Sequence, residues 1–162
     1  MSEAVKSLLG RLGGLVPGYA GYSDREKRRE SDQALRLAVA ARLGTARAVL
    51  DRRTAECART SRFDVLDQLD ALSRRVASLA DAVRHAPAGY AALFDAAAIG
   101  AAELDRLYAF DLGVREACER VVEESERLPA AVDVAGLDPV SAAVADAESA
   151  VSRRAESLRE VK

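Results

Sequence analysis

Between Val65 and Ala86 the apolar residues fall at alternating intervals of four and three: Val65, Leu69, Leu72, Val76, Leu79, Val83, Ala86. Two apolar positions per heptad place one narrow stripe along an α-helix, and a strand of period two cannot use that spacing. The stripe must be buried against other helices, so this stretch predicts a bundle or coiled-coil seam. Pro87 ends it. Upstream, Leu35, Val39, Leu43, Ala46, Leu50 and Cys57 make a second apolar line, and no proline interrupts residues 24–60. A helix over that range is about 55 Å long at the usual rise per residue. Only Arg59–Phe63 separates the two, so they are expected to form an antiparallel hairpin.

Local signals place the remaining boundaries. Ser23 with Glu26 reads as a capping box opening the first long helix, and Ser61 with Asp64 repeats the pattern before the second. A third helix is expected from Ala101 to Leu128, with a seam of Leu104, Leu107, Asp111, Val114, Cys118, Val121, Ser125 and Leu128 before Pro129. Residues 129–137 form a linker, and Asp138 with Pro139 starts a fourth helix. Its face of Val140, Val144, Ala147, Val151, Ala155 and Leu158 is thin in bulk, so it is expected to be weakly held and free to project. At the other end, Val5, Leu8, Leu9 and Leu12 give residues 2–16 an amphipathic helical pattern that Gly13-Gly14 closes. The expected fold is all-α, a long antiparallel hairpin completed by further helices into a four-helix-type bundle. Its units are 1–22, the core domain 23–128, the linker 129–137 and the C-terminal helix 138–162.

Composition agrees. Aromatic residues are only 4% of the chain and Trp is absent, which suits closely packed helices of Ala, Leu and Val better than a β-sandwich. A net charge of −2 argues against general nucleic-acid binding. The charge is split: residues 1–94 hold 16 Lys+Arg and 11 Asp+Glu, a balance of +5, and residues 95–162 hold 8 and 15, a balance of −7. Antiparallel helices could satisfy each other across that split, or the split could orient a partner. Cys57 and Cys118 lie on different helices outside any metal-ligand spacing and read as small buried hydrophobes of a reducing cytosol. No secretory signal or transmembrane run is legible.

The aromatics concentrate at two glycine-proline corners, PGYAGY at Pro17–Tyr22 and PAGYAALF at Pro87–Phe94. In an antiparallel hairpin these corners meet at one end. Tyr19, Tyr22, Tyr90 and Phe94 are therefore expected to form an aromatic plug there, with a ligand or peptide pocket as the alternative. Asp111 falls on the seam of its helix, where a carboxylate needs a partner; Arg74, Arg75 or Arg84 on the hairpin are the expected ones. His85, the single histidine, sits at a helix end, where a cation suits the dipole. Neither a catalytic constellation, a cofactor motif nor a metal site emerges from these residues.

The order PGYAGY, DREKRRESD, LDQLDALSRRVASLADAVRHAPAGYAALFD and ELDRLYAFD, over about residues 10–125, resembles an uncharacterised family of small all-helical prokaryotic proteins. In that family a hairpin precedes a glycine-tyrosine corner and a Leu-Tyr-x-Phe-Asp helix. The resemblance implies a bacterial accessory protein alongside membrane-stress or SPFH-type scaffold systems, with no assigned activity. PAGYAALFD departs from it by lacking a second glycine before Phe94.

The functional expectation is a non-enzymatic interaction, scaffold or adaptor protein that binds another protein. It is expected in the cytoplasm, with the option of a place at the inner membrane face. The interaction candidates are Tyr19, Tyr22, Tyr90, Phe94, Asp111, Leu8 and Leu12. Peripheral membrane contact would use residues 2–12, homodimerisation would use the long hairpin, and nucleic acid is not an expected partner. The alternative is a small-molecule-binding or enzymatic bundle with a pocket at the Tyr19/Tyr90/Asp111 corner, His85 included.

Overall fold

A computed structural model describes residues 3–22, 24, 27–85 and 100–160. Among them are five α-helices and no strand: α1 (Glu3–Leu15), α2 (Arg28–Arg59), α3 (Leu66–Arg84), α4 (Ala101–Glu126) and α5 (Asp138–Glu160). Short 3₁₀ turns at Phe63–Val65 and Ala135–Leu137 lead into α3 and α5. The chain is an all-α helical bundle.

The seams are buried as their spacing requires. Val65, Leu69, Leu72, Val76, Leu79 and Val83 of the second hairpin arm enter the core with Leu35, Val39, Leu43, Ala46, Leu50 and Cys57 of α2. Ala86 lies outside the described residues. Ser73 Oγ donates to Asp51 Oδ1 at 2.6 Å and Arg36 Nη1 to the Arg84 carbonyl at 3.3 Å, so later residues of α3 meet earlier residues of α2. The hairpin is antiparallel. In cross-section α2 packs against α3 and α4, and α5 against α4 and α3, with α3 and α4 on the diagonal.

Three boundaries differ from the sequence expectation. α2 starts at Arg28, about one turn after residue 24, because its first turn holds the preceding loop: Arg28 Nε donates to the Tyr22 carbonyl at 2.8 Å and Ser31 Oγ to that of Gly21 at 2.9 Å. The proposed caps Ser23 and Glu26 lie outside the described residues. Ser61 is not a cap; it takes the left-handed conformation (φ 57°), and the Arg62 N–H reaches back to the Cys57 carbonyl at 2.9 Å. α4 ends at Glu126, with Leu128 buried just beyond it.

The largest correction concerns the last helix. α5 does not project: Val140, Val144 and Ala147 are fully buried, and Ala143 and Ala150 nearly so. Small side chains pack as well as large ones when the opposing surface fits them, and fit rather than bulk sets the contact. α1 also lies on the body. Leu12 and Val16 are fully buried, Leu8 and Leu9 pack partly buried against the core, and Arg11 pairs with Glu116 of α4.

Part of the charge split is met inside the molecule. Arg11–Glu116, Arg42–Glu119 and Arg75–Glu148 each join a cation of the first half to an anion of the second. Hydrogen bonds from Arg42 and Arg115 hold the Glu119 carboxyl below the usual range against the opposing effect of burial. Cys57 and Cys118 are buried thiols, and burial pushes Cys118 up to about 12. No helix among the described residues is long and apolar enough to cross a membrane.

Candidate functional site

At the end of the bundle where α2 starts, the PGYAGY loop folds into the core. Gly18 and Gly21 both have positive φ, 81° and 80°. At Gly21 the choice of residue is forced twice, since an added Cβ would stand 2.6 Å from Tyr108 Oη and 2.8 Å from Leu9 Cδ1. The turn drives Tyr19 and Tyr22 inward against Tyr108 of α4. Tyr22 stacks on Tyr108 with centroids 5.7 Å apart, and Tyr19 meets Tyr22 edge-on at 5.8 Å. Tyr108 Oη accepts the Tyr22 backbone N–H at 2.9 Å.

Asp111, one turn beyond Tyr108, is fully buried at the centre of this group. Its Oδ2 accepts the hydroxyls of Tyr19 at 2.6 Å and Tyr22 at 2.7 Å. Its Oδ1 accepts Arg154 Nε of α5 at 2.6 Å. Arg154 Nη2 donates to Asp32 Oδ1 of α2 at 2.8 Å and to Tyr22 Oη at 3.2 Å. Asp32 in turn pairs with Arg36 at 2.8 Å. Burial, and then the charge of Asp111, raise both the Tyr19 and Tyr22 hydroxyls well above the ordinary tyrosine range, so both remain donors. Burial alone would depress the Arg154 guanidinium, but Asp111 and Asp32 beside it hold it well above its ordinary value. The result is a buried network in which one carboxylate joins α4, α5 and the α1–α2 loop.

Of the residues singled out in the sequence, Tyr19, Tyr22 and Asp111 are brought together. Tyr90 and Phe94 lie outside the described residues. The partner of Asp111 is Arg154, not Arg74, Arg75 or Arg84: Arg74 pairs with Asp70 and Arg75 with Glu148. His85 caps the end of α3 on the surface, its Nδ1 3.2 Å from the Asp81 carbonyl. Tyr108, Asp32 and Arg154 were missed, although a signal existed. Substituting Arg154 for Ala155 in the last helix gives Val140, Val144, Ala147, Val151, Arg154 and Leu158, an unbroken run of four-three spacing. Asp32 and Asp111 likewise fall on the seams of α2 and α4. Charges that interrupt seams find one another.

Two residues along α4 from Asp111, the outer face is open. A groove of about 580 Å³ runs between α4 and α5. Ala109, Gly113 and Ala117 line it from α4 and Ala150 from α5, with Phe110 as its one aromatic. Arg106, Arg120 and Arg153 flank these small residues. Arg120 stands 4.0 Å from Asp146, and Glu116 is engaged by Arg11. Compared with known proteins, the chain matches no family model, no curated protein and no solved structure.

Proposed function

We propose that this protein is a non-enzymatic helical interaction module, a cytoplasmic adaptor or scaffold that binds another protein through the α4/α5 groove. The observation that carries this reading is the groove itself, a long concavity of small residues beside exposed arginines. It is the kind of surface into which another helix can lay a ridge. The tyrosine corner favours the structural alternative over a ligand pocket, because the Tyr19 hydroxyl occupies the Asp111 carboxylate that a ligand would need. Membrane contact through residues 2–12 would require α1 to leave α4. Flotation of the intact protein with anionic vesicles would detect it.

The test is a photo-crosslinking residue placed at Gly113 in the groove or at Gly44 on α2. At both positions nothing lies within 4 Å of where a Cβ would stand, so the two sites are matched. A discrete protein adduct from position 113 and none from position 44 is the expected result. The same adducts from both, or none from either, would overturn the reading.

A further inference from the structure

We infer that the occupant of the α4/α5 groove is an amphipathic helix of another protein that carries carboxylates beside a small-residue ridge. This inference rests on the interaction-module reading and adds the chemistry of the partner.

The geometry comes first. Ala109, Gly113 and Ala117 are spaced by four and therefore lie in one line along α4. Nothing lies within 4 Å of where a Cβ on Gly113 would stand, so the space above the α4 backbone is free. An approaching helix can come closest there, and its own contacting residue should also be small.

The charges then select the partner. Glu116 and Asp146, the acidic residues of the groove, each face an arginine already, Arg11 and Arg120. Arg106 and Arg153 are exposed and have no carboxylate partner among the described residues. The groove therefore presents uncompensated positive charge beside an apolar line, and complementarity calls for acidic residues on the occupant. Arg106 stands on the α4 wall of the groove and Arg153 on the α5 wall, so the carboxylates of an occupant lying between the two helices have a cation on either side.

A second copy of the chain fits less well. A two-fold axis at Gly113, the point of closest approach, pairs residue 113 − n with 113 + n. It sets Arg106 of one copy against Arg120 of the other, twice, where Arg120 already holds Asp146, so the axis brings Arg106 no free carboxylate.

The test uses synthetic 18-residue helical peptides and fluorescence anisotropy with the full chain. One peptide has a ridge of alanine with glutamates on either side of it, and a second has lysine in place of each glutamate. The acidic peptide should bind saturably and the basic one at least about tenfold more weakly. Gly113→Leu should weaken the acidic peptide at least about tenfold by filling the line of closest approach. Gly44→Leu, a glycine equally open but on α2, should leave binding unchanged, and circular dichroism should show both variants folded. Raising salt from low to physiological strength should weaken binding, because the paired charges are exposed. Equal binding of both peptides, lost in Gly113→Leu, would overturn the acidic partner while leaving the groove a docking site. Binding unchanged by Gly113→Leu, or a dimer in sedimentation that this variant dissolves, would also overturn it. In the last case the groove belongs to a second copy.

Discussion

Asp111 and Gly113 stand two residues apart on α4, one facing the core and the other the groove. Around Asp111 every polar group meets another across helices and loop, so the chain itself completes the chemistry. Around Gly113 a side chain would meet nothing within 4 Å, and Arg106 and Arg153 have no carboxylate partner among the described residues. The difference separates what a buried charge does from what an exposed one can do. A buried carboxylate left unpaired is so unfavourable that the fold must arrange partners for it, which fixes the register of α4 against α5 and the loop. An exposed arginine is solvated and tolerable alone, so it can wait for a partner.

Breaking the core side of this comparison should have the largest effect. Asp111→Ala removes the acceptor of both tyrosine hydroxyls and of Arg154 Nε, leaving the buried guanidinium with Asp32 as its carboxylate, and should lower stability by about 3–5 kcal/mol in urea unfolding. A loss below about 1 kcal/mol would mean that the network is incidental. Alkaline pH should act through the same group. The folded pKa values of Tyr19 and Tyr22 are raised above the ordinary 10.0, so their contribution is intact below that pH. Above it the unfolded chain loses protons that the folded chain keeps, and stability should fall by about 1.4 kcal/mol per pH unit per tyrosine. Cys118 adds to the loss from its ordinary 9.0 upward, since its folded value is about 12. A Tyr19→Phe, Tyr22→Phe protein should show a flatter profile between pH 10 and 11; an unchanged profile would refute the assignment.

Gly21→Ala should cost about 2 kcal/mol, since it forces a positive φ and drives a methyl into Tyr108 and Leu9. Thermal unfolding against wild type would measure it. The smallest effect has the opposite sign. Gly113→Ala should stabilise the free protein by about 0.5–1 kcal/mol, the ordinary gain for a helical glycine with space around it. A destabilisation would show that the groove takes part in folding, and would blur the distinction between the two faces of α4.

Much of the fold was legible because helix spacing is a local property. The four-three run from Val65 to Val83, the short connection after Arg59, and the Asp138-Pro139 start all correspond to elements in the structure. The expectation for α5 failed because it weighed the bulk of the face and ignored its fit. The candidate site was half legible. Asp111 on a seam signalled a buried charge, but which of the many arginines would reach it depends on how helices lie side by side. Arg154 was overlooked because an arginine on a seam looks like an interruption of the seam.

From sequence alone, then, come the helices, their apolar stripes, the antiparallel hairpin and the need of Asp111 for a cation. These follow from backbone periodicity and desolvation, which act on each segment by itself. Only the tertiary structure decided that α5 supplies that cation, that Tyr108 completes the tyrosine group in the described residues, and that α1 covers α4. It also left the Gly113 face of α4 open beside Arg106 and Arg153, which have no carboxylate partner among the described residues. Those outcomes depend on which faces meet across the bundle, and the one-dimensional pattern carries no information about which neighbour each stripe will choose.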